Sequence, residues 1–322
     1  MKYCFIINPA SGKPDTKADL ENKIREAAEV KGLDTTVMYT EKAGDAGDFI
    51  VSFAGENPNE EIRFYACGGD GTLCEAVNGV MRLADRIRVS LGVVPVGTGN
   101  DFVRSFDHKE MFFDIGAQMD AENMEIDLIK CNDYYAINMI NIGFDCQVVV
   151  KTANYKKKRF IPSKMAYICG LVATLIKKPG VRMRIGADGG EEESRECLLT
   201  TFAKGNFCGG GFNSNPEASL VDGKINALVV KNVTRRRFIG LVGSYKNGTH
   251  ICEKNSGILR SEKALEYRMT FENDTNISID GEIRSARKIH LSCIAGAVRF
   301  LVPKGVSYIK DLAGSHKEAA PV

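Results

Sequence analysis

Phe64 to Val80 reads FYACGGDGTLCEAVNGV: an apolar run, then Gly68, Gly69 and Gly71 around Asp70, then Thr72 and a helical pattern. Glycines placed where a strand gives way to a helix let backbone N–H groups close on an anion with no Cβ in the way, and the helix N-terminus adds its positive end. Phosphate is the natural guest of such a turn. A merely tight turn would be satisfied by one or two glycines. Two further stretches of this kind follow apolar runs, NPASG at Asn8 to Gly12 and PVGTGNDFVR at Pro95 to Arg104. Ligands of open α/β sheets bind beyond the carboxyl ends of the strands, so three such loops can converge on one ligand.

The elements that must position these loops alternate in the first third of the chain. YCFIINP, DTTVMYT, IRFYACGG and VSLGVVPVG read as strands, with helical patterns at Thr16 to Lys31, Gly47 to Ala54 and Thr72 to Arg86. Apolar strands separated by helices predict a parallel sheet covered on both faces, a Rossmann-like α/β domain. From about Met124 the rhythm changes to β-rich runs joined by short turns, among them MEIDLIKCN, YYAINMINIGF, ECLLTTFAKGN, KINALVVKN, NISIDGE and AVRFLVP. These predict an antiparallel second domain, a β-sandwich, with helical insertions near Ser163 to Lys177 and Arg235 to Asn247. The expected organisation is a nucleotide-binding domain over 1–123, rejoined by about 302–322, and a β-rich domain over 124–301.

Composition narrows the classes. The 322 residues exceed one ordinary core, and 44% hydrophobic with 26% charged residues is the balance of a globular protein. A net charge of +2 gives no global field for nucleic acid, and no binding module for it is present. The ten cysteines include no C-x-x-C pair and sit mostly in apolar segments, as expected of buried thiols in a reducing cytoplasm. MKYCFIINP enters a strand directly, without the pattern of a signal peptide, and the longest apolar segment, Met165 to Ile176, is about half the ~20 residues of a membrane span. Other nucleotide signatures fail: NPASGK lacks the P-loop spacing, no G-x-G-x-x-G opens a helix after the first strand, and the H-R-D and D-F-G elements of protein kinases are missing.

NPASG, GGDGT and PVGTGNDFVR in this order, followed by DG at Asp222 and IDGE at Ile279 to Glu282, resemble the diacylglycerol kinase catalytic family of bacterial lipid kinases, related to sphingosine and ceramide kinases. The resemblance runs across nearly the whole chain. It implies an ATP- and Mg²⁺-dependent lipid kinase, most simply one that turns diacylglycerol into phosphatidic acid. ATP would be held by Asn8, Pro9, Ala10, Ser11 and Gly12, by Thr40, by Gly68, Gly69, Asp70, Gly71, Thr72, Leu73 and Cys74, and by Thr98 and Asn100. The family commonly has Asn at the position of Cys74, and a thiol is the weaker hydrogen-bonding group.

Phosphoryl transfer needs charge neutralisation and positioning more than covalent help, which makes Asp70 the first candidate for Mg²⁺. The resemblance implies that Asp101 and Asp127 complete a water-mediated network around that ion. On pattern alone, Asp127 is either a partnered carboxylate inside an apolar strand or a residue on the open face of an edge strand. The turn at Gly281 presents Asp280 and Glu282 together; the family pattern makes Glu282 the proton acceptor with Asp280 the other candidate, whereas a D-G hairpin with a solvated glutamate is the bland reading. EASLVDGKINALVV resembles the family's structural metal loop, implying a second, non-catalytic Mg²⁺ held by Asp222 and by the backbone carbonyls of Ser219 and Lys224. No histidine lies in these motifs.

Three basic clusters, NYKKKRFIPSK, KKPGVRMR and TRRRF, are each ordinary solvated charge runs, yet with the amphipathic Met165 to Ile176 segment they could dock an anionic surface. The expected setting is therefore the cytoplasm, peripheral to the inner face of the membrane that delivers the lipid. The sequence leaves a homodimer open. An NAD kinase, whose family shares GGDGT, and a nucleotide-binding regulatory module without catalysis are the alternatives; PVGTGNDFVR and IDGE weigh against the first, Asp70 and Glu282 against the second.

Overall fold

The computed structural model describes residues 1–12, 16–156, 174 and 180–310. The chain forms two compact units, one of 1–128, 208–211 and 295–322, the other of 129–207 and 212–294. The return to the first unit thus begins at Ala295 rather than about 302, because Arg299 and Phe300 already pair with a strand of the first unit.

The first unit runs β1 (Lys2–Ile7), α1 (Thr16–Lys31), β2 (Thr35–Tyr39), α2 (Asp45–Glu56), β3 (Ile62–Gly68), α3 (Asp70–Val80), β4 (Val89–Pro95) and α4 (Ile115–Met119). Its parallel sheet has the order β4, β3, β1, β2, with register Phe5 opposite Tyr65 and Val37, and Phe64 opposite Leu91. β1, β3 and β4 are buried almost throughout, which is why they read as continuous apolar runs rather than alternating ones. Phe5 and Tyr65 stack in the core, and Gln118 at the end of α4, wholly buried, donates to the carbonyls of Val93 and Phe112. α2 and α3 meet at glycines: a Cβ on Gly79 would stand 2.6 Å from Gly47 Cα and 2.8 Å from its carbonyl oxygen. Gly79→Ala gains up to about 1 kcal/mol of helix propensity but forces the helices apart at a cost of about 1–3 kcal/mol. Urea unfolding is expected to give a lower midpoint for this variant; an unchanged or raised midpoint would mean the helices do not touch there.

The remaining strands are β5 (Glu122–Cys131), which enters the second unit at Ile129, β6 (Tyr134–Ala136), β7 (Met139–Gly143), β8 (Val181–Ala187), β9 (Glu193–Ala203), β10 (Ile225–Lys231), β11 (Leu259–Ala264), β12 (Glu266–Ile279) and β13 (Glu282–Val302), which leaves it at Ala295. The described helices here include α5 (Phe144–Lys156) and α6 (Arg235–Asn247), the latter over the expected insertion. The segment expected to be helical at Ser163 to Lys177 lies outside the described residues except for Thr174.

Pairing in the second unit is antiparallel. β9 pairs with β8 over Glu193 to Cys197 and with β7 over Leu199 to Ala203, while β12 pairs with β8 over Tyr267 to Phe271 and with β7 over Ile277 to Ile279. Two long strands each shared between the same two partners fold the sheet onto itself. The buried faces enclose a core built on Ile140, Phe202, Tyr267, Met269, Ile277 and Leu291, the sandwich expected from the alternating patterns.

Candidate active site

The first unit's loops at the carboxyl ends of its strands come together as the sequence suggested. Asn8, just past β1, donates through Nδ2 to Thr72 Oγ1 in the first turn of α3 at 2.9 Å, and its own Oδ1 accepts from Ala10 N at 2.9 Å. Gly97 N donates to Gly68 O at 3.1 Å, and a Cβ on Gly97 would lie 2.4 Å from Gly69 Cα. Only glycine permits that approach of the β3 and β4 loops. Thr40, buried at the end of β2, donates its N–H to Ile7 O. Pro9 and Ser11 are half-buried, Ala10 and Gly12 exposed, and Thr98 is exposed at the tip of its loop.

Asn100 shapes that loop from a left-handed conformation, φ 49°, with Nδ2 donating to the carbonyls of Pro95 and Gly97. Its Oδ1 is buried and meets no hydrogen-bond partner among the described residues, so it is an acceptor that a ligand or water would satisfy. A small hollow lies here, lined by Gly68, Gly69, Asp70, Leu73, Pro95 and Asn100 among others. Cys74 is fully buried on α3, with Asn78 Nδ2 donating to its carbonyl and facing its sulfur. Its side chain is core rather than an open contact of the phosphate loop.

The carboxylates of Asp70 and Asp101 stand together. Asp70 Oδ1 accepts from Asp101 N at 2.9 Å and Phe102 N at 3.3 Å, and Gly99 is so placed that a Cβ there would be 3.0 Å from Asp70 Oδ2 and 3.6 Å from Asp101 Oδ2. Burial, then the neighbouring Asp101, raise Asp70 to a pKa of about 6 against the pull of the backbone N–H groups. Burial raises Asp101 as well, opposed by the Gly210 N–H donated to Oδ2 at 2.8 Å and by Arg104, whose Nε stands 3.3 Å from Oδ1. Two desolvated carboxylates that resist ionising together at the N-terminus of α3 are what a divalent cation with phosphate oxygens would relieve. The residues present therefore fit a magnesium ion shared with a polyphosphate.

Asp127 is 3% exposed, with Oδ1 accepting from Gly296 N at 2.9 Å. The partnered reading holds and the open-face alternative does not. No group of three acidic, His or Cys side chains placed to hold a metal occurs among the described residues, so Asp127 does not join the Asp70 and Asp101 pair directly.

In the second unit the IDGE stretch forms a two-residue hairpin between β12 and β13, with Ile279 opposite Glu282 and both Asp280 (φ 47°) and Gly281 (φ 93°) left-handed. Glu282 is exposed at the start of β13. Asp280 is 8% exposed and accepts from three successive backbone N–H groups, Ile137 at 2.7 Å, Asn138 at 3.1 Å and Met139 at 2.7 Å. A general base needs a lone pair facing the hydroxyl it deprotonates. Three of the roughly four acceptor positions of Asp280 hold the turn into β7, whereas Glu282 is exposed, which favours Glu282 as the candidate base.

On the 219–224 loop, Ser219 is buried, and the Asp222 carboxylate and the Lys224 carbonyl both face the ammonium of Lys204. Lys204 and the glycine run 209–211, whose N–H at Gly210 meets Asp101, lie outside the motifs legible in the sequence, and Arg104 lies at the end of one with no role given to it. Three consecutive glycines after NFC and a lysine inside an apolar strand pattern were the available signals.

Comparison with known proteins agrees in both halves. Residues 2–131 match the diacylglycerol kinase catalytic domain, and residues 138–302 match the YegS C-terminal NAD kinase beta sandwich-like domain. A diacylglycerol kinase of Staphylococcus aureus (strain bovine RF122 / ET3-1) is 30% identical over 279 residues, covering 86% of this chain and 85% of that protein. Two solved Bacillus anthracis chains share the fold. One, a diacylglycerol kinase, has a TM-score of 0.69 at 20% identity over 95% of this chain and 98% of the other. The second, provisionally assigned as a diacylglycerol kinase, has a TM-score of 0.75 at 22% identity, covering 95% and 96%.

Proposed function

This chain belongs to the diacylglycerol kinase catalytic-domain family, and on that premise we propose that it transfers the γ-phosphoryl group of ATP to the free hydroxyl of diacylglycerol, giving phosphatidic acid. The observation that carries the reading is the Asp70 and Asp101 pair beneath three glycine-bearing loops. Asn8, Thr72 and the backbone N–H groups of 68–72 cradle the phosphates; Asp70 and Asp101 would hold Mg²⁺, which when bound would supply neutralisation of the charge on the transferring phosphoryl group. Glu282 accepts the proton of the attacking hydroxyl, and Asp280 fixes the hairpin that carries it.

The lipid comes from a membrane, on which the protein docks peripherally. Among the described residues no helix is long and apolar enough to span one. Exposed Arg235, Arg236 and Arg237 at the start of α6 supply part of the basic surface, each near-surface cation contributing about 1 kcal/mol toward anionic lipid. The basic and apolar stretch over 157–173 and 175–179 lies outside the described residues.

Incubation with labelled ATP and Mg²⁺, against anionic vesicles containing diacylglycerol and separately against NAD, tests the reading. Label is expected in a chloroform-soluble phosphomonoester and not in NADP. Label in NADP would make the chain an NAD kinase, and nucleotide binding with no transfer to any lipid extract would make it a regulatory module.

A further inference from the structure

Lys204 follows β9 directly, its side chain wholly buried. A buried ammonium is costly unless paired and hydrogen-bonded. Here Nζ donates to Asp222 Oδ1 at 2.9 Å and to the carbonyl oxygen of Lys224 at 2.7 Å. Asp222 Oδ2 accepts from Lys263 Nζ at 2.6 Å, and Oδ1 also accepts from Lys224 N at 3.2 Å. Both carboxylate oxygens are thus engaged, and two ammonium groups face one carboxylate. The oxygens gathered here, a carboxylate and a backbone carbonyl, are hard donors of the kind that surround Mg²⁺ or Ca²⁺. They are two of the donors the sequence resemblance assigned to a structural Mg²⁺.

A divalent ion at Asp222 would have to displace the Lys204 ammonium or sit against two positive charges at hydrogen-bonding range, in a region screened from solvent on the Lys204 side. The residues present do not fit a resident metal. We propose that the ammonium of Lys204 is the built-in cation of this loop: it closes the 219–224 turn onto the end of β9 as a metal ion would, and makes the second unit's stability independent of divalent ions.

The test uses the full chain carrying Asp70→Asn, so that the nucleotide-side cation does not contribute. Thermal unfolding in millimolar Mg²⁺, in Ca²⁺ and in chelator is expected to give the same midpoint within about 1 °C, and elemental analysis after desalting should find less than a tenth of a divalent ion per chain. A midpoint that falls in chelator, or a stoichiometric metal that Asp222→Asn releases, would overturn the proposal; neither measurement depends on a Lys204 variant folding. Lys204→Ala leaves Asp222 paired with Lys263 but opens one Asp222 Oδ1 position and the Lys224 carbonyl and empties a buried site, and is expected to lower the midpoint by a few degrees. Mg²⁺ or Ca²⁺ should then recover part of that loss, and adding Asp222→Asn should abolish the recovery. A Lys204→Ala chain that folds and ignores both cations would also count against a cation site at this position.

Discussion

Asp70→Asn is expected to lower phosphoryl transfer by roughly 10³-fold or more while the ligand-free protein becomes harder to unfold. The loss follows from the charge: an amide keeps the shape, and its oxygen can still accept from Asp101 N, but it gives Mg²⁺ no anionic partner and the phosphoryl charge no organised counterion. The gain follows from the same charge. Asp70 sits desolvated beside Asp101, with its pKa raised to about 6. A carboxyl raised in the folded state binds more protons there than in the unfolded chain, so wild-type stability falls as pH climbs from its unfolded value to about 6, and the whole penalty applies above that. Asn carries no such penalty. In chelator, the variant should therefore exceed the wild type by roughly 1–3 kcal/mol at pH 7.5, the difference shrinking as pH falls below about 6. Retained turnover would remove Asp70 from the metal site. Equal stability at both pH values would mean that the two carboxylates are not desolvated together.

Glu282→Gln is expected to lower lipid phosphorylation by about 10²- to 10⁴-fold, the usual cost of losing a general base, with the affinity for an ATP analogue within a few-fold of wild type. The phosphate loops belong to the first unit and Glu282 to the second, where its side chain is exposed and shapes no loop that holds nucleotide. Asp280→Asn supplies the contrast. It leaves the Glu282 carboxylate in place but weakens the acceptor of three backbone N–H groups at Ile137, Asn138 and Met139, so its main effect should be on the unfolding midpoint. Calorimetry that finds nucleotide binding lost in Glu282→Gln would make Glu282 a ligand of the nucleotide or its metal. A loss of activity confined to Asp280→Asn, with stability and Glu282→Gln turnover unchanged, would reverse the two roles.

The glycine loops and the parallel sheet were legible in the sequence because the physics behind them is local. Wholly apolar strands such as VSLGVVP require cover on both faces, and glycines at a strand-to-helix junction have few other uses. The Asp-Gly hairpin was equally plain, since both positions need left-handed backbone.

How each carboxylate is held was decided only by tertiary structure. Asp280 and Glu282 are two residues apart and equivalent in pattern, yet residues about 140 positions away supply the N–H groups that capture one and leave the other free. Asp127 reads equally well as exposed or partnered until Gly296, 169 positions on, donates to it. Lys204 shows the same limit most clearly: in LLTTFAKGN a lysine looks like the polar end of a strand, and only the fold brings Asp222 and the Lys224 carbonyl to its ammonium. Backbone preference and apolar period are properties of neighbouring residues and survive in one dimension. The partner of a buried charge is chosen by which distant segments the packed chain brings within 3 Å or so, so the sequence determined where chemistry could be placed, and the tertiary contacts determined which groups are left to perform it.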